Sequence, residues 1–399
     1  MAKRLARRLS FADATLFEIG GIVGAGVFAL IGLAAGAGGP AVVAAVALAG
    51  VVSLLTALSY AEISSALPVE GGEFEFAHRL VSPLAGKLTA AGWLVADVVS
   101  TALVGLAFGN YVSSVFPAVP ARAAAWGVFF AAAAINAAGV KLSARANGVL
   151  SVFKVAVLVL FISIGLSHFN AANFAPLMPT GKTGVLAAAA LFFFAYSGFG
   201  KITRLSEEVV GARKTLPRAI VASLCICTAL YILVAVALIG SFGWQSAAAS
   251  ASPLYSAVGF LGYPWAAQVL WLGALAAMFT VILTNNAGIS RILFAVGRRS
   301  RSLGRLGHVQ ASFGTPWKAV ALAGALPAII VFFVDLKGAA EISSALFLLY
   351  YAVVNAIAIF ARSRKDWKPA FKTPLFPLLP LMGFLSCILL LAGIFFGLG

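Results

Sequence analysis

Long apolar runs constrain this chain more than any other feature. They recur from one end of the sequence to the other, and many contain 18 or more residues with few charges. Coiled as a helix, such a run crosses a hydrocarbon core of about 30 Å. The composition agrees: 62% of the residues are hydrophobic and 10% charged, with a mean hydropathy of +1.03. Too few polar residues remain to cover a soluble protein, so the sequence predicts an all-α polytopic membrane protein.

We predict eleven transmembrane helices and no soluble domain between them. The first run follows basic residues, as in a signal peptide, but it is glycine-dense and long enough to span, and Asp13 and Glu18 interrupt its approach. The third and eighth runs exceed the bilayer thickness and should tilt or project. The approximate bounds are 14–37, 40–66, 86–115, 122–140, 146–167, 183–204, 219–241, 264–296, 318–335, 340–361 and 374–397.

Basic residues predict the orientation. A net charge of +16 can indicate a nucleic-acid partner, but these residues lie in short loops on alternate sides of the predicted spans. With a cytoplasmic N-terminus, 22 of the 28 lysines and arginines fall on the inner side and three on the outer side, as the positive-inside rule requires. We expect an integral protein of a prokaryotic cell membrane, with a cytoplasmic N-terminus and no nucleic-acid partner.

The two halves of the chain share a pattern. Five predicted spans precede the loop at 170–182, and five follow it before the last, so the halves have opposite orientations. Each half opens on a span with small residues at its middle, at 20–26 and at 195–200. Interrupted helices at corresponding positions of inverted halves indicate a transporter binding site. We predict a single transporter domain over 1–399, with repeats at about 14–167 and 183–361 and an extra helix at about 374–397.

Glycines at mid-span weaken a helix, each by about 1 kcal/mol relative to alanine. An unwound turn exposes N–H and C=O groups that could bind the carboxylate and ammonium of an amino acid. Close helix packing is the alternative, since Gly20 and Gly24 form a small-xxx-small pair. The three phenylalanines at 192–194 could equally face lipid or the core. Phe199 is the preferred gate residue. The substrate-binding candidates are Ile22, Gly24, Ala25, Gly26, Phe194, Tyr196, Ser197, Gly198 and Phe199.

Motifs along nearly the whole chain strengthen this interpretation. Gly-Ile-Val-Gly-Ala-Gly-Val-Phe at 21–28 resembles the first-helix motif of the amino acid–polyamine–organocation (APC) superfamily, and Phe-Ala-Tyr-Ser-Gly-Phe-Gly at 194–200 resembles its sixth. Further stretches agree in order at 68–76, 206–208, 216–220, 290–295 and 314–316. The resemblance implies the five-plus-five inverted-repeat (LeuT-like) fold, with helices 1 and 6 discontinuous, and amino acid transport. Members commonly have twelve helices, and eleven are predicted here, which leaves the oligomeric contacts open.

Lys154 is the most informative single residue. It lies about eight residues into the fifth predicted span, about 12 Å deep at 1.5 Å per residue. A charge at that depth indicates a functional site, although a lysine stem could also carry its head back to the interface. In the sodium-independent, proton-coupled branch of the superfamily, a lysine here resembles a built-in substitute for sodium. The resemblance therefore implies proton coupling, with Lys154 as the carrier.

Acidic residues in or near the spans are weaker candidates. Glu18 and Asp97 could pair with Lys154 or relay protons. Glu62 lies near the inner boundary, where we expect it to be solvated. Glu207 and Glu208 could form an inner gate with loop arginines or be ordinary solvated residues.

One polar patch in the eighth span adds a last candidate. Thr280, Thr284, Asn285 and Asn286 either bond neighbouring helices or line the pathway, and Thr284 is a weak candidate for the latter role.

Enzyme classes find no support in the sequence. The three histidines fall in loops, the three cysteines in apolar segments, and no phosphate loop or nucleophile motif occurs. We therefore expect no metal and no cofactor. The leading hypothesis is an amino acid/proton symporter that works by alternating access. An exchanger of amino acids or polyamines is the alternative within the same fold, and a channel or receptor the alternative from another class.

Overall fold

The chain folds entirely into helices and their connections in the residues that the structure, a computed structural model, describes: 9–69, 73–138, 140–299, 304–308 and 315–396. The predicted all-α class is confirmed. In chain order the α-helices are α1 Phe11–Ile22, α2 Ile31–Gly38, α3 Val42–Ala66, α4 Glu73–Leu80, α5 Pro83–Val115, α6 Ala121–Ala138, α7 Val140–Ser167, α8 Gly181–Phe192, α9 Ala212–Phe242, α10 Trp244–Ala249, α11 Pro253–Phe260, α12 Pro264–Arg299, α13 Trp317–Ile330, α14 Leu336–Arg362 and α15 Leu378–Phe396.

Eight stretches of the described chain are long and apolar enough to cross a membrane. The helices α6 and α13 are shorter apolar helices at predicted spans. Connections predicted as plain loops contain the short helices α4, α10 and α11. The polytopic class thus holds, while the loops have more helix than their composition suggested.

The ninth predicted span ends earlier than its composition indicates. The predicted bounds are 318–335, whereas α13 ends at Ile330, three residues after the internal Pro327. Asp335 then begins α14, because its side chain accepts a hydrogen bond from the N–H of Gly338 at 2.8 Å. An aspartate that caps a helix N-terminus ends the preceding connection, so α14 starts four residues before the predicted position.

Both glycine-rich runs contain a helix break. After α1, Val23 adopts an extended conformation with ψ 102°, and the chain resumes as a π-helix at Gly26–Leu30 before α2. After α8, a 3₁₀ turn at Phe193–Tyr196 is followed by four turn residues and a second 3₁₀ segment, Lys201–Glu208. Gly200 has φ +85°, a left-handed conformation that favours glycine.

A carboxylate clasp closes one end of the bundle. The Glu62 side chain on α3 is 1% exposed and accepts two hydrogen bonds from Arg362, at 2.7 and 3.0 Å. It also accepts the indole N–H of Trp367 at 3.1 Å and the backbone N–H of Thr373 at 2.8 Å. The expectation that Glu62 is solvated is wrong, because the segment after α14 folds back over the end of α3.

Small residues let the long helices approach closely. Gly109 on α5 lies against the backbone of α6, so a Cβ at this position would overlap the carbonyl oxygen of Ala121. Gly92, on the same helix, has nothing within 4 Å of such a Cβ. Within one helix, one glycine is therefore required by packing and the other is not.

This contrast predicts opposite effects of the same substitution. Gly109→Ala should destabilise the protein by about 1–3 kcal/mol, because an overpacked contact with backbone cannot relax. Gly92→Ala is the matched control and should leave stability unchanged or raise it by up to about 1 kcal/mol through helix propensity. Thermal-denaturation midpoints of the purified proteins in one detergent test this, and equal midpoints for the two variants would contradict it.

Candidate functional site

A buried lysine binds the carbonyls freed by the first break. Lys154 on α7 is 0% exposed. Its ammonium donates to the carbonyl oxygens of Gly20 at 2.7 Å and Val23 at 3.0 Å, and to the hydroxyl of Thr280 on α12 at 3.0 Å. An ammonium has three donors, and all three are used. The alternative in which Lys154 reaches back to the interface is therefore wrong.

A tyrosine hydroxyl joins the two breaks. The Tyr231 side chain on α9 is fully buried, and its hydroxyl lies 2.9 Å from the carbonyl oxygen of Ile22 and 3.3 Å from that of Ala195. One donor thus serves a freed carbonyl in each break. Sequence reasoning missed this residue, although a tyrosine in an apolar span must find a hydrogen-bond partner for its hydroxyl.

Two further tyrosines each donate to one backbone carbonyl at or near a break. The hydroxyl of Tyr351 on α14 donates to the carbonyl oxygen of Ser197 at 2.7 Å, at the second break. The hydroxyl of Tyr111 on α5 donates to the carbonyl oxygen of Phe28 at 2.6 Å, in the π-helical turn. Side chains from three helices thus replace hydrogen bonds that an unbroken helix would make internally.

Glu18 caps the segment after the second break. Its carboxylate is 0% exposed and accepts the backbone N–H of Gly200 at 2.9 Å and that of Ile202 at 2.6 Å. A carboxylate is favourable at the N-terminal end of a helical segment, where N–H groups have no partner within the helix. Glu18 therefore ties α1 to the segment Lys201–Glu208. A role for Glu18 in proton transfer stays a prediction.

The two breaks touch each other through their glycines. A Cβ at Gly198 would overlap the carbonyl oxygen of Gly21, and a Cβ at Gly26 would overlap Ala195. At Gly24 a Cβ would come within 2.9 Å of a methyl group of Val281 on α12. Close packing and unwinding are therefore not alternatives in these runs but occur together.

A narrow cavity lies between the breaks, with room for about 20 Å³. That volume holds about one water molecule, so an amino acid can enter only when the lining moves apart. Predicted site residues that line the cavity are Ile22, Gly24, Ala25, Gly26, Phe194, Ser197 and Asp97. The remaining lining residues are Gly21, Ser100, Val104, Ala195, Lys201, Val281, Asn285 and Phe347.

The lining carries charges of both signs. The Asp97 side chain on α5 is 1% exposed. The ammonium of Lys201, just after the second break, lies 3.4 Å from the amide oxygen of Asn285 on α12. Lys201 lies near the end of the sixth predicted span, and its sequence position alone does not distinguish a cavity-lining side chain from an interfacial one. A carboxylate, an ammonium and an amide beside freed backbone suit a zwitterionic ligand.

Three predicted substrate-binding residues lie outside the cavity lining. The Tyr196 hydroxyl donates to the carbonyl oxygen of Val46 on α3 at 3.1 Å. Gly198 lies against α1, and the Phe199 ring stacks on that of Tyr351 with centroids 4.7 Å apart. Their contact with substrate stays a prediction that this arrangement does not support.

In the polar patch on α12, Thr280 and Asn285 contribute to the site, whereas the candidate Thr284 does not line the cavity. The hydroxyl of Thr284 bonds the carbonyls of Thr280 and Val281 within its own helix, whereas Thr280, one turn earlier, bonds Lys154. The side chains of Glu207 and Glu208, the predicted inner gate, lie outside the described part of the structure.

Comparison with known proteins finds a matching family and several related transporters. The sequence matches the amino acid permease family over residues 9–399. It is 31% identical to a methylthioribose transporter of Bacillus subtilis, over 97% of this chain and 88% of the relative. It is 29% identical to a branched-chain amino acid permease of the same organism, over 98% and 88%. It is also 29% identical to human cationic amino acid transporter 4, over 94% of this chain and 62% of the relative.

The bridging hydroxyl generates a stability prediction. Tyr231→Phe keeps the ring but leaves two buried carbonyls without this donor, which should cost about 1–3 kcal/mol. Tyr255→Phe is the matched control, since Tyr255 is half-buried and no hydrogen bond of its hydroxyl is described. Thermal-denaturation midpoints should fall for the first variant and not for the second. A midpoint unchanged by Tyr231→Phe would show that the hydroxyl does not stabilise the breaks.

Proposed function

Since the chain belongs to the amino acid permease family, we propose that it is a secondary active transporter that carries an amino acid across the membrane by alternating access. One observation carries the proposal: two helix breaks, from distant parts of the sequence, meet at a cavity lined by freed backbone and by charges of both signs. Discontinuous helices that meet in this way are typical of transporter binding sites.

The substrate's two charged groups have matching partners here. The helix that resumes at Gly26 has N–H groups at its N-terminal end, which suit a carboxylate, and Asp97 is an acceptor for an ammonium. Ile22, Gly24, Ala25, Ser197 and the ring of Phe194 would complete the contacts. The side chain of the substrate would then face Val281 and Phe347.

Alternating access requires that contacts around the first break be exchanged. The predicted inverted repeats, at about 14–167 and 183–361, would each contribute one broken helix to the moving unit. Glu18 ties α1 to the segment Lys201–Glu208, so these two should move together. They are held against α7 and α12 by the bonds from Lys154 to Gly20, Val23 and Thr280.

Proton coupling follows from the chemistry of that lysine. A charged ammonium offers three N–H donors and fills all three acceptors, whereas a neutral amine has only two. Loss of a proton would therefore free one acceptor and weaken the attachment of α1. Lys154 would thus act as the proton carrier of an amino acid/proton symporter, with a proton moving in the same direction as the substrate.

Exchange and other cargoes are the competing proposals. An amino acid or polyamine exchanger would use the same site without a net proton flux. One relative is named for methylthioribose transport, others for branched-chain and cationic amino acids. Uptake into proteoliposomes should therefore be measured for labelled leucine, alanine, arginine and methylthioribose, with and without a pH gradient. Saturable, gradient-driven leucine or alanine uptake supports the proposal, counterflow indifferent to pH supports exchange, and uptake of methylthioribose alone overturns an amino acid cargo.

The proton role makes a specific prediction for Lys154. In proteoliposomes, Lys154→Ala should abolish accumulation driven by a pH gradient and retain counterflow, because the site remains but its titrating group is lost. Lys87→Ala, at an exposed position on α5, is the matched control and should behave as wild type. If Lys154→Ala still accumulates substrate against a gradient under an imposed pH difference, Lys154 is not the proton carrier.

The cavity wall makes a second prediction, about substrate size. Val281→Ala removes two methyl groups beside Gly24 and should raise the preference for isoleucine over alanine roughly tenfold, because cavity space for one or two methyl groups discriminates at about this level. Val296→Ala, on the exposed side of the same helix, is the control. Ratios of kcat/KM measure the preference, and an unchanged ratio would place the substrate side chain elsewhere.

A further inference from the structure

A second cavity lies away from the two breaks, at one end of the bundle. It is open, has a volume of about 380 Å³, and forms where α3, α4, α9 and the segment after α14 meet. We name it the basic cavity, because four of its side chains are cationic. Its lining residues are Ala66, Leu67, Arg79, Leu80, Arg213, Arg364, Asp366, Trp367 and Lys368.

Two arginines are fixed at this cavity by neutral acceptors. Arg213 donates to the carbonyl oxygens of Ser65 at 3.1 Å and Lys368 at 2.6 Å. The guanidinium of Arg364 donates to two carbonyl oxygens at the end of α4, at 3.1 and 3.3 Å. Backbone carbonyls orient a guanidinium without cancelling its charge, and each guanidinium has five N–H donors. Both arginines therefore keep donors and positive charge for a ligand.

Acidic residues only partly offset the charge. Asp366 lies 3.6 Å from the guanidinium of Arg364, but its side chain is 81% exposed, and an exposed pair of this kind is weak. Glu75 pairs with Arg79 at 2.6 Å. Among the described side chains that line the cavity, four cations thus face a single carboxylate.

The carboxylate clasp around Glu62 also holds one wall of the basic cavity in place. The buried carboxylate accepts the indole N–H of Trp367, so the ring of this cavity residue is oriented by the interior of the protein. Arg362, which pairs with Glu62, also lies over the ring of Phe376, with its guanidinium carbon 4.2 Å from the centroid. The cavity is therefore largely formed before any ligand binds, which lowers the entropic cost of binding.

We propose that the basic cavity binds a phosphate group on the side that the charge count assigns to the cytoplasm. Guanidinium groups in fixed orientations match phosphate oxygens by paired hydrogen bonds. The volume falls within the range of small-ligand sites, and Leu67, Leu80 and Trp367 provide apolar walls for the rest of a phosphate ester. The phosphate belongs either to an anionic lipid headgroup or to a soluble phosphate compound.

Lys368 allows a test with a matched control. Its carbonyl is bonded by Arg213, and no contact of its ammonium is described, so Lys368→Glu changes the charge of the cavity without removing that bond. Lys365→Glu makes the same change three residues earlier, at an exposed position outside the lining. One arm titrates inorganic pyrophosphate into the detergent-solubilised full chain and follows tryptophan fluorescence. The other counts phosphatidylglycerol molecules retained from vesicles of phosphatidylcholine and phosphatidylglycerol, by native mass spectrometry.

We expect Lys365→Glu to bind like wild type and Lys368→Glu to bind roughly tenfold more weakly in one arm. A difference in the pyrophosphate arm identifies a soluble ligand, and a difference in the lipid arm identifies a headgroup. Equal binding by the two variants in both arms, whether strong or weak, overturns the proposal, since it indicates general surface attraction. If Lys368→Glu does not fold, Lys368→Gln and Lys365→Gln give the same comparison with a smaller expected difference.

Discussion

The backbone groups freed at two helix breaks need hydrogen-bond partners, and this need shapes the packing of the helices around them. Water is not available inside a bilayer, so each freed carbonyl or N–H must find a partner in the protein. Lys154 supplies donors to α1, Tyr231 supplies one to both breaks, and Glu18 accepts from the segment after the second break. These partners come from α1, α7 and α9. The breaks therefore determine how the helices around them are arranged, and they place polar groups around a cavity that an unbroken bundle would fill with apolar side chains.

The same contacts bear on how a stable break could also move in the proposed transport cycle. A hydrogen bond within a helix is repeated at every residue and resists local change, whereas the first break is attached by a few individual side chains. The cavity of about 20 Å³ is too small for an amino acid, so the proposed alternating access requires these side chains to exchange partners. A lysine that can lose a proton gives that exchange a chemical control, because its number of donors changes with its charge. The proposed coupling of proton and substrate movement rests on this property.

At the end of the bundle that holds the carboxylate clasp, a buried polar group is again satisfied by side chains from distant parts of the sequence. Glu62 is a buried carboxylate that is stabilised because Arg362, Trp367 and Thr373 all donate to it. Breaking such a cluster is costly, since it leaves a buried charge without partners. Its effect is to fold the segment after α14 against α3 and to form a wall of the basic cavity. Basic loop residues that orient a membrane protein can in this way also converge on a site.

The amino-acid sequence was enough to predict the membrane class and the positions of most helices, because these depend on the composition of windows of about twenty residues. It also indicated both breaks, through the short clusters of small residues at 20–26 and 195–200. It also identified Lys154, since a charge at mid-span is conspicuous wherever its partners lie. The partner of each polar side chain, by contrast, depends on how the helices pack. Tyr196 was expected at the cavity and instead bonds Val46, and Glu62 was expected in water and instead bonds Arg362. Tyr231, which joins the breaks, was not predicted. Residues 209 positions apart, such as Ile22 and Tyr231, meet only after the helices pack, and helix rotation decides which face of a span looks inward.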